Sequence, residues 1–335
     1  MQPKKRRRPS CSSLSFLAYN VFGPEGCKTY GRAYGPEFYS TAARTSLINE
    51  QLIAARPDFI ALSEVDPVCD AHERGLKEAG YTLIGETPFM LKLFRGQTAW
   101  RTQLFMREGV AVPDPDVGPL VVAGGACVLR RLRHRDSGRT IVVGAVHALP
   151  GMDSERTLSG RYEAAEYFTK QLGLQAKFFG ATTPRAVRLL QMQAIVLGFQ
   201  ELTKSPGDPL GNDCAAVAFG DFNLRPEDEL TAALDEGRIF SGGVECRYGG
   251  RMSATLSTAQ WFEAPGAESM ATYPCRDTEE RDYVLRSDRV YARGKGVQPT
   301  FIEVLPFECR GPRGDRFPQF LSDHSAVRVD IEIEF

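Results

Sequence analysis

The end of the chain alternates strictly. Val327, Val329, Ile331, Ile333 and Phe335 are apolar, and Arg328, Asp330, Glu332 and Glu334 lie between them. A period of two puts the two sets on opposite faces, so this segment is predicted as a half-buried strand. Other segments are apolar without alternation. Ala215 to Phe219 leads into Gly220-Asp221-Phe222-Asn223, Phe59 to Leu62 leads into Ser63-Glu64, and Ile141 to Val146 leads into His147. Short continuous runs of this kind, bounded by Gly or polar residues, predict strands buried on both faces. Leu14 to Tyr19, ending at Asn20, and Arg286 to Arg293 are further strand candidates. Residues 81–146 read as short strands, with Asp136-Ser137-Gly138 turning a hairpin between Val128 to Arg133 and Thr140 to Val146.

Helical spacing follows a different set of positions. Leu47, Ile48, Leu52 and Ala55 predict a helix broken by Arg56-Pro57-Asp58. A second helix is predicted from Asp70 to Ala79, closed by Gly80. A third is marked by Val187, Leu190, Ala194 and Leu197 and stops before Ser205-Pro206-Gly207. Shorter helical turns are expected near Tyr162 to Leu172 and at Pro226-Glu227-Asp228, and residues 238–280 read as irregular. Strands interleaved with helices define an α/β chain.

Composition narrows the function classes. Of 335 residues 42% are hydrophobic and 25% charged, an ordinary globular balance. The net charge is −1, so any positive field for nucleic acid has to be local. The eight cysteines are scattered, with no CxxC and no histidine at zinc spacing, which argues against a zinc site or a disulfide framework. No apolar run approaches the roughly 20 residues of a membrane span, and no hydrophobic segment follows the basic residues 1–10 as a secretory signal would require. Pro3-Lys4-Lys5-Arg6-Arg7-Arg8-Pro9 is a like-charge block, expected to be disordered and to serve as a nuclear-import signal or a nucleic-acid-binding arm.

The predicted strands end in chemistry. Asn20, Glu64, His147, Asp221 with Asn223, Asp288, and Asp323-His324 all sit at strand ends, and the chain has only four histidines. Each has an ordinary structural reading alone, as a turn cap, a surface acid or a core histidine. Together they supply carboxylates, amides and imidazoles at strand ends, where open α/β sheets hold ligands.

The order and local sequences of these positions resemble the endonuclease/exonuclease/phosphatase superfamily of metal-dependent phosphoesterases. The matching stretches are Leu17-Ala18-Tyr19-Asn20-Val21, Pro57 to Val65, Val146-His147, Gly220-Asp221-Phe222-Asn223, Ser287-Asp288-Arg289-Val290 and Ser322-Asp323-His324. The resemblance covers nearly all of residues 13–335. It implies a four-layer sandwich, two packed mixed β-sheets flanked by helices, with the site between the sheets at one end. One domain over residues 11–335 would then follow the tail, with an insertion at 148–184. The resemblance further implies Mg²⁺, or Mn²⁺ in its place, held mainly by Glu64, with Asp323 and Asn20 close to the ion or its waters. Asp221 would activate or align the attacking water with Asn223 beside it. His147 and His324 would bind the non-bridging oxygens, and Asp288 would orient His324. Asp282-Tyr283-Val284-Leu285 also resembles a family strand, so Asp282 is the alternative orienting acid.

Within the superfamily the chain looks most like the 5′-tyrosyl-DNA phosphodiesterases, at Leu62 to Pro67, at the Asp288 strand, at Arg316-Phe317-Pro318 and at Asn223-Leu224-Arg225. It departs from them at Phe222 and at Ala148-Leu149-Pro150. Tyr273, in Thr272-Tyr273-Pro274, resembles a loop residue over the substrate. Asn20, Asn223 and His147 would also contact substrate. The expected partner is nucleic acid, with DNA ends foremost, and the expected compartment is the nucleus, with the cytoplasm as the alternative. The alternatives on the same fold are a small phosphoester of inositol-phosphate or sphingomyelin type, 3′-end RNA trimming, and a catalytically dead binding module, which the presence of all six positions speaks against. Tyr30, Tyr34, Tyr39 and Trp261 allow base stacking or loop anchoring. Arg130, Arg131, Arg133, Arg135 and Arg139 allow backbone tracking or a solvated hairpin face.

Overall fold

A computed structural model describes residues 11–22, 41–66, 70–87, 100–148, 184–209, 211, 213–223, 262–263, 273–275, 283–285, 288–305, 308–309, 319–320, 322 and 324–334. The strands that position the site are β1 (Cys11–Asn20), β2 (Phe59–Val65), β3 (Tyr81–Glu86), β4 (Arg101–Arg107), β5 (Ala111–Pro113), β6 (Leu120–Val122), β7 (Cys127–His134), β8 (Thr140–His147), β9 (Ala215–Asp221), β10 (Phe262–Glu263), β11 (Tyr273–Cys275), β12 (Tyr283–Leu285), β13 (Asp288–Arg293), β14 (Val297–Leu305), β15 (Glu308–Cys309), β16 (Gln319–Phe320) and β17 (Ala326–Glu334). Among the described residues three α-helices join them: α1 (Thr41–Ala55), α2 (Ala71–Glu78) and α3 (Pro184–Thr203).

Two mixed sheets result. One runs β14-β17-β1-β2-β4-β3, and the other runs β10-β13-β9-β8-β7-β5 with β6 also on β7. Each contains one parallel pair among the described strands, β1 with β2 and β8 with β9. An antiparallel strand lies beside each pair, β17 on β1 and β13 on β9. The two sheets thus repeat one arrangement, and the carboxyl ends of both parallel pairs open at the same place.

Alternation divides β1 between two cores. Leu14, Phe16 and Ala18 face the second sheet, packing with Phe59, Ala61, Val143, Val217, Phe219, Val290 and Val329. The Phe16 ring stacks on Phe59 at 5.0 Å and meets Phe219 edge-on at 5.4 Å, which joins the sheets directly. Leu17 and Tyr19 face the other way, onto Ile48 and Leu52 of α1 and Leu76 of α2. On the far side of the second sheet, Met192, Ile195, Val196 and Phe199 of α3 cover Leu129, Val142 and Ala216. The layers are helix, sheet, sheet, helix, as the resemblance implies.

The end remote from the parallel pairs' carboxyl termini is tied by polar groups. Asp58 accepts from Ser15 N (2.8 Å) and Ser15 Oγ (3.1 Å), and pairs with Arg107. At the β7–β8 turn, Arg139 donates to the carbonyls of Asp213 (2.9 Å), Glu334 (2.5 Å) and Lys295 (2.5 Å). Arg130 donates to Val117 O, and Arg131 donates to Leu202 O while pairing with Asp114. Three of the hairpin arginines therefore hold the fold, and the hairpin turn lies at the opposite end of β8 from His147.

β14 was not expected as a strand. Pro299 lies in it, and the pairing with β17 slips between Pro299 and Phe301. Proline is tolerated in an edge strand at a bulge, and β14 is at the sheet edge. Among the described residues, Cys11, Cys127 and Cys214 are free thiols. The 148–184 insertion, apart from its two end residues, lies outside the described residues, as do the turns near Tyr162 and Pro226, Tyr30, Tyr34, Tyr39 and Trp261. No helix of the described residues is long and apolar enough to cross a membrane.

One buried histidine couples this fold to pH. His72 of α2 shares a 2.8 Å hydrogen bond between its Nδ1 and Asn49 Oδ1 of α1. Burial first, and the Arg44 guanidinium second, push its imidazole down from 6.5 to about 3. The native state keeps the ring neutral, while the unfolded chain takes up a proton below about pH 6.5. The contribution is complete above that pH and is lost as pH falls towards about 3, by up to about 1.4 kcal/mol per pH unit. Thermal unfolding followed between about pH 7 and 4 is expected to show a steeper fall in Tm for the parent chain than for His72→Gln. Equal slopes would mean that the native ring titrates normally.

Candidate active site

The two carboxyl ends bring the sequence-predicted residues together. In the second sheet the parallel register aligns His147 with Asp221, and the antiparallel register aligns Asp221 with Asp288. Residues opposite in register share a face. By alternation with Ala145, Phe219 and Val290, that face is the one turned to the first sheet. In the first sheet Asn20 closes β1 on the same side as Phe16 and Ala18.

Glu64 reaches the cleft by another route. Alternation along β2 puts Phe59 and Ala61 inward and Ile60 and Leu62 outward, which would turn Glu64 towards the helices. The pairing with β4 is irregular between Leu62 and Val65, and Glu64 has φ 59°. This bulge re-aims the side chain. Asn223, with φ 50°, and Phe22, with φ 54°, are left-handed as well. Such conformations cost on the order of 1 kcal/mol or more for a non-glycine residue, and they gather at functional sites. Gly220 has the opposite excuse. A Cβ there would lie 2.0 Å from Val146 O, so only glycine lets β9 approach β8 closely enough to align Asp221 with His147.

One amide joins the two sheets. Asn20 Nδ2 donates to Glu64 Oε1 and to Asp221 Oδ2, each at 3.0 Å. Its Oδ1 accepts from Phe22 N at 2.9 Å, which fixes the amide orientation. Asp221 Oδ1 accepts from Asn223 N at 2.8 Å, and Asn223 Nδ2 donates to Ala148 O at 2.8 Å. His324 Nδ1 lies 2.6 Å from Asp288 Oδ2, so Nδ1 carries the proton and donates it to the carboxylate. That leaves His324 Nε2 facing Asp221 Oδ2 at 3.9 Å. His147 Nε2 lies 3.9 Å from Asp221 Oδ2 and 3.8 Å from Glu64 Oε1. All of these groups are buried or nearly so: the side chains of Asp221, His324, His147 and Glu64 are 1%, 7%, 10% and 16% exposed.

A divalent cation fits this donor set. Two carboxylate oxygens are drawn to one amide nitrogen, and the buried His147 Nε2 beside both makes no hydrogen bond. Crowded buried acids call for positive charge, and hard oxygen donors with room for water suit Mg²⁺. Glu64 is the side chain that would hold such an ion. Asn20 presents its nitrogen to both carboxylates and accepts from Phe22 N at its oxygen, beside the place where such an ion or its waters would lie. Asp221, Asp288 and His324 also offer ligand atoms within 4.8 Å of one another, with His324 bonded to Asp288 and Asp221 opposite Asp288 in register. Asp323, Asp282 and the side chain of Tyr273 lie outside the described residues; Tyr273 itself opens β11, paired with Leu285 of β12.

Three further residues were not singled out by sequence. Trp100 packs on His147, with ring centroids 6.1 Å apart at 50°. It continues the inward set Leu104 and Met106 of β4, so alternation could have found it. Ser322 Oγ donates to Asn20 O at 2.6 Å and accepts from His324 N at 3.1 Å, linking β1 to the residues before β17. Arg44 of α1 holds the backbone just past Asn20, and only the folded chain shows this.

Residues 17–324 match the model of the endonuclease/exonuclease/phosphatase family, and the chain belongs to it. Members of this family are phosphoesterase hydrolases, and they generally use divalent metals. No curated protein sequence matches the chain. Among solved structures, the human Nocturnin catalytic domain with bound sulfate is similar at 15% identity, covering 96% of this chain and 97% of that one, with a TM-score of 0.57. TDP2 of D. rerio complexed with single-strand DNA product is similar at 15% identity, covering 96% and 99%, with a TM-score of 0.54. ANGEL2, a 2′,3′-cyclic phosphatase in complex with adenosine-2′,3′-vanadate, is similar at 12% identity, covering 98% and 100%, with a TM-score of 0.62. At these identities the likeness is one of fold.

Titration calorimetry with Mg²⁺ or Mn²⁺ tests the assignment of Glu64. A binding heat in the parent chain that disappears in Glu64→Ala is expected. An undiminished heat in Glu64→Ala would place the ion elsewhere.

Proposed function

We propose that the chain is a Mg²⁺-dependent phosphodiesterase acting on nucleic-acid ends, with 5′-tyrosyl-DNA adducts as its leading substrate. The observation that carries this reading is the Asn20 amide that holds Glu64 and Asp221 together between two histidines. The motif resemblance to 5′-tyrosyl-DNA phosphodiesterases supports the substrate, as does the similarity in fold to a TDP2 structure holding a single-strand DNA product.

Each group has a task in that reaction. Asp221 is held at both oxygens, by Asn20 Nδ2 and Asn223 N, so its carboxylate stays in one orientation. It aligns the attacking water and accepts its proton. The Nε2 atoms of His147 and His324 border the same small space, each 3.9 Å from Asp221 Oδ2. They bind the non-bridging oxygens, where donors fixed in advance stabilise the charge that develops. Asp288 fixes the tautomer and orientation of His324. Mg²⁺ at Glu64 would polarise the phosphoryl group and offset charge on its oxygens. The basic residues 1–10 add a proposed role in carrying the chain to the nucleus. A second reading, processing of RNA ends, is supported by the fold similarity to ANGEL2.

The test is Mg²⁺-dependent cleavage of a single-stranded oligonucleotide with a 5′-phosphotyrosine. A 2′,3′-cyclic-phosphate RNA, an unmodified strand and a generic phosphodiester run beside it. Release of tyrosine from the first substrate alone is expected, with Asp221→Asn lowering kcat by about 10³-fold or more while substrate still binds. Cleavage of the RNA end alone would move the function to the second reading, and no hydrolysis of any phosphodiester would refute the first. Deleting residues 1–10 is expected to leave kcat unchanged and to redistribute a fluorescent fusion out of the nucleus. A matching loss of rate would put the tail in the substrate site.

A further inference from the structure

Asn20 can bridge Glu64 and Asp221 only if its amide is held in one orientation. The group that holds it is Phe22 N, which donates to Asn20 Oδ1 at 2.9 Å. An asparagine that accepts from the backbone two residues on forms a local turn, so the chain must leave the strand direction immediately after β1. It does so at Phe22, whose φ of 54° is unusual for a bulky side chain. Something outside the loop has to keep it there.

Arg44 is placed to do this. It lies in α1, on the outer side of the first sheet, and is 5% exposed. Its Nη1 donates to Val21 O at 2.6 Å and its Nη2 to Phe22 O at 2.9 Å. A planar guanidinium with two parallel donors matches two successive carbonyls turned to the same side. Successive carbonyls of an extended strand do not turn that way, so the grip selects the bent conformation. Val21 N is fixed separately, donating to Ser63 O at 3.0 Å, and Ser322 Oγ holds Asn20 O. Between the guanidinium and the bridging amide, Val21 N, Val21 O, Phe22 N, Phe22 O and Asn20 O are thus each hydrogen-bonded.

We infer that Arg44 is a positioning residue of the active site, acting through the backbone of Val21 and Phe22 to orient the Asn20 amide. The inference rests on the reaction proposed above, because Asn20 matters to turnover only if Glu64 and Asp221 do. Arg44 touches neither. An ammonium has no planar fork, so Arg44→Lys keeps the charge and loses the two-carbonyl grip.

The experiment is a double-mutant cycle in steady-state kinetics on the cleaved substrate, with Arg44→Lys, Asn20→Ala and the pair together. Displacing a reacting group by about 1 Å costs about 10²-fold, so Arg44→Lys is expected to lower kcat by about 10- to 100-fold with KM little changed. In the Asn20→Ala background it should lower kcat no further. A selective ¹⁵N-asparagine spectrum of the same proteins should show the Asn20 side-chain amide displaced in Arg44→Lys, with Tm serving as the check on folding. Equal losses of kcat in both backgrounds, with the Asn20 amide resonance unmoved, would overturn the inference. If the parent chain cleaves no phosphodiester, the proposed function has failed instead. The amide resonance then decides alone, displacement supporting the role of Arg44 and an unmoved signal refuting it.

Discussion

At the open end of the sandwich a single amide nitrogen is shared between acids of the two sheets. Asn20 Nδ2 is shared by a carboxylate of its own sheet, Glu64, and one of the facing sheet, Asp221. Two acids brought this close repel each other, and burial weakens the screening that water would supply. The amide offsets only part of that repulsion. The remainder is an electrostatic demand for positive charge, which a divalent cation beside Glu64 would meet.

The molecule separates this demand from its own stability. At the far end, carbonyls and one buried acid are satisfied by Arg139, Arg131, Arg130, Arg107 and Ser15. Between the ends lies the dry core of Phe16, Phe59 and Phe219. Losing charge balance at the cleft would disturb groups that the far end does not share. Phe22, Glu64 and Asn223 take left-handed conformations near the chemistry, and rigid neighbouring strands can hold them there.

The repeated topology of the two sheets explains how so few residues make the site. Each sheet contributes a parallel pair whose carboxyl ends deliver two side chains, Asn20 with Glu64 and His147 with Asp221. Each also contributes a residue at or just before the start of the adjacent antiparallel strand. Those two, His324 and Asp288, meet across the cleft at 2.6 Å. Closing the sandwich is what forms the pair.

The buried apolar runs and the polar residues that end β1, β2, β8 and β9 were legible in the sequence, because burial on both faces leaves no room for polar residues until a strand emerges. Asn20, His147 and Asp221 also fall on the inward face by simple alternation. The direction of Glu64 was not legible, since period two points it outwards and only the bulge against β4 reverses it. The hairpin arginines look like a basic patch in one dimension, and only their distant carbonyl partners show three of them to be structural. β14 was hidden by Pro299, which a reading of local propensity counts against a strand. The sequence by itself determined which chemical groups arrive at the strand ends. Their mutual distances, the Asn20 bridge and the grip of Arg44 were decided by tertiary structure, because each joins residues far apart in the chain whose approach no local pattern encodes.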